Sequence, residues 1–352
     1  MKKLYIFFTL FCIAFVLNAQ PQGYYNGTEG LTGNALKAKL HTIIKNDDHV
    51  SYSGLWSAYQ ATDKRPGTNY VWDIYSDVPD GTPPYNFTFG VDQCGSYNNE
   101  GDCYNREHLW AQSWTNNDGT EKTDLHHVYP TDGYVNNRRG NYAFGEVRNA
   151  SWTSRNGSKL GSCATTGFNG TVFEPIDEYK GDIARALMYV SVRYYTEDSQ
   201  WDNSDMTTKS VIKSWAMTML LRWHEEDPVS PKEINRNNAV YGKQGNRNPF
   251  VDNPEFAPMI WDPNWDGVDD QYVTTVIVDV WPNPATSTVN IKGENLEAVY
   301  MYNAMGQLVL TIDMQNTDSQ SVIDVSDFNS GIYFMNVISE NGGSTLKKVV
   351  VQ

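Results

Sequence analysis

The sequence is poor in cysteine and in basic residues, and beyond its first residues it has no hydrophobic run long enough to cross a membrane. Four cysteines occur in 352 residues, and 42 aspartates and glutamates outnumber 27 lysines and arginines, for a net charge of −15. A chain this acidic repels nucleic-acid phosphates at long range, so a nucleic-acid partner requires basic groups that gather locally. The aromatic content of 13% excludes a disordered composition.

The one long apolar run lies at the amino terminus. Lys2 and Lys3 precede an apolar stretch from Leu4 to Leu17, and the small residue Ala19 follows. This pattern is typical of a secretory signal peptide cleaved after Ala19. A membrane anchor is the alternative, but the run is short for a span of about 20 residues. We therefore predict that residues 1–19 are a signal peptide and that the protein is exported.

Three cysteines remain once Cys12 leaves with the signal, and export permits disulfides. Cys94 and Cys103 flank a loop rich in Gly, Ser and Asn, so we predict a disulfide between them. It would brace the residues just ahead of His108. Cys163 is left over, and we interpret it as a buried or idle cysteine in preference to a catalytic thiol.

Helical periodicity is confined to a few segments. It predicts a helix that begins near Asn34 and two further helices over Asp182–Tyr195 and Ser210–Glu225, each with one apolar face for the core. Residues 50–105 are rich in Gly, Pro, Asn and Asp, and we predict loops and short strands there.

The centre of the chain predicts a strand–turn–strand–helix unit. We expect short strands over 105–114 and 124–130, joined by a polar turn over 115–123. A helix follows over 132–141, with Asp132 as its N-cap.

The composition changes after Asp266. Positions 274–352 alternate apolar and polar residues, have turn residues every 8–12 positions and contain no His or Cys. This pattern predicts a small β-sandwich. We therefore expect an α+β chain with three parts: the signal peptide over 1–19, a catalytic domain over 20–272 and the β-sandwich over 273–352.

The stretch Asn105-Arg106-Glu107-His108, with Asn136 further on, carries the candidate chemistry. An imidazole can take a proton from water near neutral pH. Glu107 and Asn136 would supply the oxygen ligands that Mg²⁺ prefers. Neighbours on an extended strand point to opposite faces, so Glu107 and His108 can serve one site only at a bulge or at a site edge.

Basic residues gather around this stretch although the chain is acidic. They are Arg106, Lys122, Arg138, Arg139 and Arg148. Their charge would offset the long-range repulsion of phosphates.

Separated motifs follow one another along residues 25–262. They include Glu100-Gly-Asp-Cys-Tyr-Asn-Arg-Glu-His108, Thr123-Asp-Leu-His-His-Val-Tyr-Pro130, Arg139-Gly-Asn-Tyr-Ala-Phe-Gly-Glu146, Trp223-His-Glu-Glu-Asp-Pro-Val229 and Gln244-Gly-Asn-Arg-Asn-Pro-Phe-Val-Asp252. In this order they resemble the bacterial endonuclease I family, which has a ββα-metal nuclease core.

The resemblance implies a role for each matching residue. His108 would be the general base that activates water, and Glu107 and Asn136 would hold one Mg²⁺, with Mn²⁺ and Ca²⁺ as alternatives. Cleavage would leave 5′-phosphate and 3′-hydroxyl ends. An arginine assists the phosphate in this family, and Arg138 and Arg139 are both candidates.

Four more residues of these motifs have supporting roles in this interpretation. His126 and His127 are predicted to pack beside the site. Asn137 is the nearest rival to Asn136 as a ligand, and Arg247 is a candidate for a supporting or phosphate contact.

The chain departs from the family pattern at two places. Leu109-Trp110-Ala111 stands where Ser or Thr and a Trp/Phe-Pro pair are common, and Asn253 replaces a common histidine. Neither change removes a proposed ligand, but both leave local geometry open.

The last part of the chain has its own resemblance. Trp281-Pro-Asn-Pro-Ala285, Ile323-Asp-Val-Ser-Asp-Phe328 and Ser330-Gly-Ile-Tyr-Phe334, with a Lys-Lys-Val-Val-Val ending, resemble the type IX secretion sorting domain. This resemblance implies an address read by that secretion machinery. A carbohydrate-binding or wall-binding sandwich is the alternative.

A half-motif for calcium lies at the join between the two parts. Asp262, Asn264, Asp266 and Gly267 match the first half of a calcium loop, but position 12 is Val273 where the loop needs Glu. A polar linker is the favoured interpretation.

These observations lead to one principal function hypothesis and two alternatives. The principal one is a secreted or cell-surface, Mg²⁺-dependent endonuclease without sequence selection, acting as a monomer on DNA, with RNA as an open second substrate. The alternatives are a noncatalytic adhesin on the same scaffold and a phosphodiesterase for another polymer. The discriminating observation is whether the exported protein degrades nucleic acid.

Overall fold

The computed structural model describes residues 20–116, 119–262, 278–293, 296–303, 308–314, 320–339 and 344–352. The described residues divide into two compact units, 20–262 and 278–352. The predicted signal peptide, the predicted boundary at 272/273 and the calcium half-motif beyond Asp262, interpreted as a polar linker, lie outside the described residues.

The first unit is built on helices that pack around one central helix. Their bounds are α1 (Gly33–Ile44), α2 (Leu55–Thr62), α3 (Gly133–Arg139), α4 (Lys180–Arg193), α5 (Ser214–Glu226), α6 (Pro231–Gln244), α7 (Pro249–Asp252) and α8 (Phe256–Trp261). Every residue of α4 is buried, and α1 and α5 pack against it. The helices predicted near Asn34, over Asp182–Tyr195 and over Ser210–Glu225 are confirmed as α1, α4 and α5, with ends shifted by a few residues.

The sequence prediction missed four helices. The segment predicted as loops and short strands contains α2, and α6, α7 and α8 lie in a segment for which no structure was predicted. Helix α6 begins with a full capping box, in which Ser230 Oγ accepts from Glu233 N and the Glu233 carboxylate accepts from Ser230 N. The Ser-Pro-x-Glu signal for this start was therefore present in the sequence.

Three small sheets complete the first unit. The strands are β1 (Tyr104–His108), β2 (Val128–Asp132), β3 (Ala143–Phe144), β4 (Val147–Thr153), β5 (Lys159–Cys163), β6 (Thr171–Glu174), β7 (Thr207–Thr208) and β8 (Val211–Ile212). Strands β1 and β2 form an antiparallel pair, β3-β6-β5-β4 form a four-stranded sheet, and β7 pairs with β8.

Both central strands are shorter than predicted, and the second also begins later than predicted. The prediction over 105–114 is wrong beyond His108, because the carbonyl oxygens of His108 and Leu109 accept hydrogen bonds from Arg139. The prediction over 124–130 is wrong at its start. Asp124 closes a turn there by accepting from the backbone N–H groups of His126, His127 and Val128, so β2 begins only at Val128.

The β1–β2 pair lies between two hydrophobic clusters. Leu109 and Tyr129 belong to the main core around α4, whereas Tyr104 and Val128 belong to a second core that includes residues of α2 and α6. Packing on both sides fixes the strand pair, and with it the end of β1 where the candidate residues lie.

The second unit contains only strands in its described residues: β9 (Val278–Trp281), β10 (Thr288–Gly293), β11 (Leu296–Asn303), β12 (Leu308–Asp313), β13 (Gln320–Asp324), β14 (Gly331–Ser339) and β15 (Ser344–Val351). They form two antiparallel sheets, ordered β13-β10-β9 and β12-β11-β14-β15. Val289 and Ile291 of one sheet and Met301, Met335 and Val337 of the other share one core. The predicted β-sandwich and the α+β class are confirmed.

A membrane-spanning helix was not predicted after the signal peptide. Within the described ranges, the structure has no helix that combines the length and the apolar character that a bilayer span requires.

Candidate active site

The candidate residues lie on β1 and on α3, which follows β2 directly. Asp132 caps α3 by accepting from Val135 N at 2.9 Å, as predicted, and Gly133 N donates to Cys103 O at 2.9 Å. The predicted disulfide between Cys94 and Cys103 is present, one residue ahead of β1. These contacts tie the start of the helix to the start of the strand.

Glu107 is almost completely buried, with a relative exposure of 1%. Its Oε1 accepts from the Tyr75 hydroxyl at 2.8 Å and lies 3.3 Å from Nη1 of Arg139. Burial raises the pKa of Glu107, while Arg139 and the Tyr75 hydrogen bond act in the opposite direction. The carboxylate is thus positioned by two partners that both contact the same oxygen.

Asn136 is held in one amide orientation. Its Nδ2 donates to Asn105 Oδ1 at 2.7 Å and to the backbone oxygen of Arg106 at 3.1 Å. A backbone carbonyl can only accept, so the nitrogen must face β1. No hydrogen bond from the residues that the structure describes reaches Oδ1, which leaves that oxygen available as a ligand.

The donor set of Glu107 and Asn136 suits a hard divalent cation. Carboxylate and amide oxygens are the ligands that Mg²⁺, Mn²⁺ and Ca²⁺ accept, with water completing the coordination. The described residues contain no cluster of three or more His, Cys, Asp or Glu side chains that could hold a metal. A cation at this place would therefore keep few protein ligands, as Mg²⁺ usually does.

His108 is buried with both ring nitrogens engaged. Nε2 donates to the backbone oxygen of Lys122 at 2.9 Å, and because that oxygen can only accept, Nε2 carries the hydrogen. Nδ1 therefore carries the lone pair, and it accepts from the Gln112 amide at 3.0 Å. Burial, reinforced by the nearby His127, lowers the pKa of His108 to about 3, so the ring is neutral at pH 7. Its tautomer presents Nδ1 as the proton acceptor.

Glu107 and His108 point to opposite faces of β1. All residues from Tyr104 to His108 pair with β2 in regular register, so the strand has no bulge. The contacts agree, since Glu107 meets Tyr75 and Arg139 whereas His108 meets Lys122 and Gln112. Of the two arrangements considered from the sequence, the regular register excludes the bulge, and the site-edge arrangement stays a prediction.

The two candidate arginines of α3 have different surroundings. Arg139 is 1% exposed, and it donates to His108 O at 2.8 Å and to Leu109 O at 2.6 Å. Arg138 is exposed, donates to the Tyr134 hydroxyl at 2.6 Å and lies over the ring of Trp152. Only Arg138 presents its guanidinium to solvent, and the side chain of Asn137 is also exposed.

His126 and His127 are buried beside the site. His127 Nε2 donates to Glu121 O at 2.7 Å, and the ring centre of His127 lies 6.0 Å from that of His108. His126 donates to Asn246 O at 3.2 Å and packs against the ring of Tyr189. Burial lowers the pKa of both histidines. Neither ring contacts Glu107 or Asn136 directly.

Arg247 lies in a different part of the first unit. It is buried and makes two hydrogen bonds to Asp252, at 2.6 and 2.7 Å, and one to Asn238 at 2.8 Å. The structure does not bring it together with Glu107, His108 or Asn136. Its contacts join α6 to α7.

Cys163 is buried at the end of β5 and is not in a disulfide. It belongs to the main hydrophobic core.

Sequence reasoning missed several residues that position the site. Tyr75 holds Glu107, and Asp73 accepts from both Tyr75 N and Asp132 N, at 2.8 and 3.0 Å. Asp124 accepts from the hydroxyls of Tyr189 and Tyr194 behind the histidines. No local pattern marks these residues, since their partners are far away in the sequence.

Two family models match this chain. One, described as Endonuclease I, matches residues 32–255, and the other, described as Secretion system C-terminal sorting domain, matches residues 279–352. The first match includes every candidate site residue on β1 and α3.

Curated relatives match the first part of the chain. An extracellular ribonuclease of Bacillus subtilis (strain 168) is 38% identical over 251 residues, which are 69% of this chain and 80% of that protein. An extracellular ribonuclease of Bacillus amyloliquefaciens is 36% identical over 252 residues, with the same coverage of 69% and 80%. Endonuclease-1 of Buchnera aphidicola subsp. Baizongia pistaciae (strain Bp) is 28% identical over 131 residues, which are 37% of this chain and 46% of that protein.

Proposed function

Since this chain belongs to the endonuclease I family, we propose that it hydrolyses phosphodiester bonds of DNA and RNA without sequence selection, leaving 5′-phosphate and 3′-hydroxyl ends. It is an endonuclease, and its secretion sorting domain makes it a secreted or cell-surface protein.

The contact of His108 Nε2 with Lys122 O, which assigns the lone pair to Nδ1, is the observation that carries the proposal. A general base must offer a lone pair at a defined position, and Lys122 O forces the lone pair of His108 onto Nδ1. A water molecule that replaces the Gln112 amide at Nδ1 would donate its proton there. His108 would then hold that proton while the water oxygen attacks phosphorus.

Glu107 and Asn136 would hold the divalent cation. Tyr75 and Arg139 position the carboxylate, and Asn105 with the Arg106 carbonyl turns the Asn136 oxygen outward. When bound, Mg²⁺ would neutralise charge that develops on the phosphate and on the leaving oxygen. Mn²⁺ and Ca²⁺ have the same ligand preferences and are alternatives.

Arg138 is the phosphate-contacting arginine in this proposal. Its guanidinium is exposed at the end of α3, two residues after Asn136. Arg139 is assigned to the end of β1, where it orders the backbone of His108 and Leu109. In this proposal Arg138 binds the substrate, and Arg139 stabilises the backbone of the site.

The names of the relatives support activity on both nucleic acids. Two Bacillus relatives are named extracellular ribonuclease and the Buchnera relative is named Endonuclease-1. The roles proposed for the site residues all act on a phosphate and its oxygens, which DNA and RNA share. We infer that the enzyme cuts both polymers.

We further propose that the nuclease domain spans residues 20–272 and that residues 273–352 are the type IX sorting domain. The mature enzyme is proposed to act as a monomer. Size-exclusion chromatography with light scattering on the exported chain tests the second statement.

Plasmid and RNA degradation test the proposed function. The mature protein is incubated with supercoiled plasmid or RNA in Mg²⁺ or EDTA, beside His108→Ala and a matched histidine control, His49→Ala. We expect cleavage by the wild type and by H49A in Mg²⁺ alone, and a loss of at least about 100-fold in H108A. Equal cleavage by H108A would refute the base assignment, and the absence of cleavage in every divalent metal would favour the adhesin alternative.

A further inference from the structure

Arg106 has no acidic partner among the described residues. Seven other arginines form ion pairs with carboxylates: Arg65, Arg139, Arg185, Arg193, Arg222, Arg236 and Arg247. The Arg106 side chain makes neither an ion pair nor a hydrogen bond to any part of the chain that the structure describes, and its Nε is buried without a partner. The chain has a net charge of −15, so carboxylates that could pair with this guanidinium are plentiful. A guanidinium that stays unpaired beside the candidate site therefore indicates a binding position for an anionic ligand.

Two aromatic rings hold this guanidinium in place. Its central carbon lies 4.0 Å from the ring centre of Tyr52 and 3.9 Å from that of Trp56. Cation–π contacts of this kind order the planar group and leave its terminal N–H donors free. Tyr52 itself is 39% exposed, so the arrangement reaches the protein surface.

Lys122 brings a second cation to the same ring. Its Nζ lies 5.3 Å from the Tyr52 ring centre and makes no ion pair with any carboxylate in the described ranges. The backbone oxygen of Lys122 accepts from His108 Nε2, and the Tyr52 ring is nearly parallel to the His108 ring at 6.4 Å. Arg106 and His108 also share one face of β1, two residues apart.

We propose that Arg106 and Lys122, held on Tyr52 and Trp56, form a subsite for the phosphate next to the one that is cleaved. The inference rests on the proposed nuclease function and adds a second contact point for the polynucleotide strand. Both cations lie on the His108 face of β1, whereas Arg138 belongs to α3. Arg138 would then hold the scissile phosphate, and Arg106 with Lys122 would hold the neighbouring phosphate of the strand.

Binding without divalent metal tests this subsite independently of cleavage. Fluorescence anisotropy with a labelled single-stranded oligonucleotide in EDTA gives the affinity of the chain from residue 20 to 352 as a function of salt. We expect Arg106→Ala and Lys122→Ala each to lower the slope of log affinity against log salt by about 0.7, the value for one phosphate contact on a single strand. R106K should retain the slope, because it keeps the charge.

Arg222→Ala is the matched control, since it removes one positive charge from an exposed ion pair with Glu146. Its salt slope should equal that of the wild type. An unchanged slope in both R106A and K122A, or an equal change in R222A, would overturn the subsite. A wild type without measurable oligonucleotide binding at low salt would overturn it as well.

Substrate length provides a second measurement. Bis(p-nitrophenyl) phosphate has a single phosphodiester and no neighbouring phosphate, so it cannot use the subsite. In R106A, kcat/KM for an oligonucleotide should fall at least about tenfold more than kcat/KM for this small ester. Equal losses on both substrates would assign Arg106 a merely structural role. Binding with the expected slope but no cleavage of either substrate would refute the nuclease proposal and leave the subsite supported.

Discussion

Two neighbouring arginines at the end of α3 differ in burial. We expect substitution of the buried one to lower stability and substitution of the exposed one to leave stability nearly unchanged. Arg139→Ala removes a buried cation that pairs with Glu107 and donates to two backbone oxygens. The free energy of unfolding should fall by about 3–5 kcal/mol, because a buried carboxylate loses its partner. Arg138→Ala should change stability by less than about 0.5 kcal/mol, since the side chain is exposed.

In R138A, activity measured on folded protein should fall although stability does not. Urea denaturation gives the stability of each variant, and plasmid cleavage well below the transition gives kcat/KM. We expect R138A to lose about 10- to 100-fold in kcat/KM through the missing phosphate contact. A fully active R138A would remove Arg138 from the proposal, and a stable R139A would contradict its role at the end of β1.

Asp73 should make the stability of the first unit depend on pH. Burial, with the neighbouring Asp132 adding to it, raises the pKa of Asp73 from 3.8 to about 7. Because the folded pKa lies above the unfolded one, the contribution of Asp73 to stability is fully present below pH 3.8 and is lost as the pH rises through about 7. In Asp73→Asn, the difference in unfolding free energy between pH 5 and pH 8 should shrink by about 1–3 kcal/mol.

Chemical denaturation at the two pH values measures this difference. Asp80→Asn is the matched control, since Asp80 is exposed. The control should keep the wild-type difference between pH 5 and pH 8. If D73N kept it too, the carboxyl of Asp73 would already be ionised at pH 5 in the folded protein.

The start of α6 combines a helix cap with a buried ion pair, and the two contributions can be separated. Ser230→Ala removes only the cap, so we expect a loss of about 1 kcal/mol, and of a few tenths for Ser230→Gly. Glu233→Ala also removes the partner of Arg185, which lies 2.5 Å away and is buried. That variant should lose about 3–5 kcal/mol. Urea denaturation measures all three, and an equal loss in S230A and E233A would show that the ion pair contributes nothing.

The elements that the sequence predicted correctly are those whose own residues determine them. Helices α1, α4 and α5 have apolar residues at helical spacing, and the strands of the second unit alternate apolar and polar residues. Helix α2 was missed because its neighbourhood is rich in turn-forming residues. The end of β1 was misplaced because a side chain of α3 stops the strand, and no local pattern shows a contact 30 residues away.

The candidate site also contains residues that the sequence could nominate and residues that it could not. Glu107, His108 and Asn136 belong to local motifs, so the sequence alone could nominate them. Tyr75, which holds Glu107, and Tyr52, which lies beside His108, come from loops well ahead of β1. Their partnership depends on tertiary packing, and a single sequence has no signal for it. The tautomer of His108 likewise depends on Lys122 O, which only the folded chain places.

The net charge of the whole chain repels a polynucleotide, whereas a few basic residues near the candidate site attract it. A net charge of −15 opposes the approach of a polynucleotide, while Arg106, Lys122 and Arg138 concentrate positive charge around β1 and α3. Binding by such a protein should be weak and strongly dependent on salt. For an enzyme outside the cell, weak binding is compatible with turnover because products leave quickly.

The two units should be separable without loss of catalysis. Among the residues that the structure describes, the hydrophobic clusters of the first unit contain none beyond Trp261, and the cluster of the second unit begins at Val278. Each unit thus has a core of its own, which is the condition for independent folding. All residues proposed for catalysis belong to the first unit. A chain that spans only residues 20–262 should therefore keep its kcat/KM on plasmid DNA within about threefold and keep the urea midpoint of the first unit.

A shorter truncation supplies the control for this experiment. A chain that ends at Gly245 lacks α7 and α8 and loses Phe250, Phe256 and Ala257 from the main core. Removal of these buried side chains should prevent cooperative folding, since each large apolar group contributes about 2–5 kcal/mol. If the 20–262 chain also failed to fold cooperatively, the second unit would be part of the catalytic fold. It would then have a structural role besides that of an address.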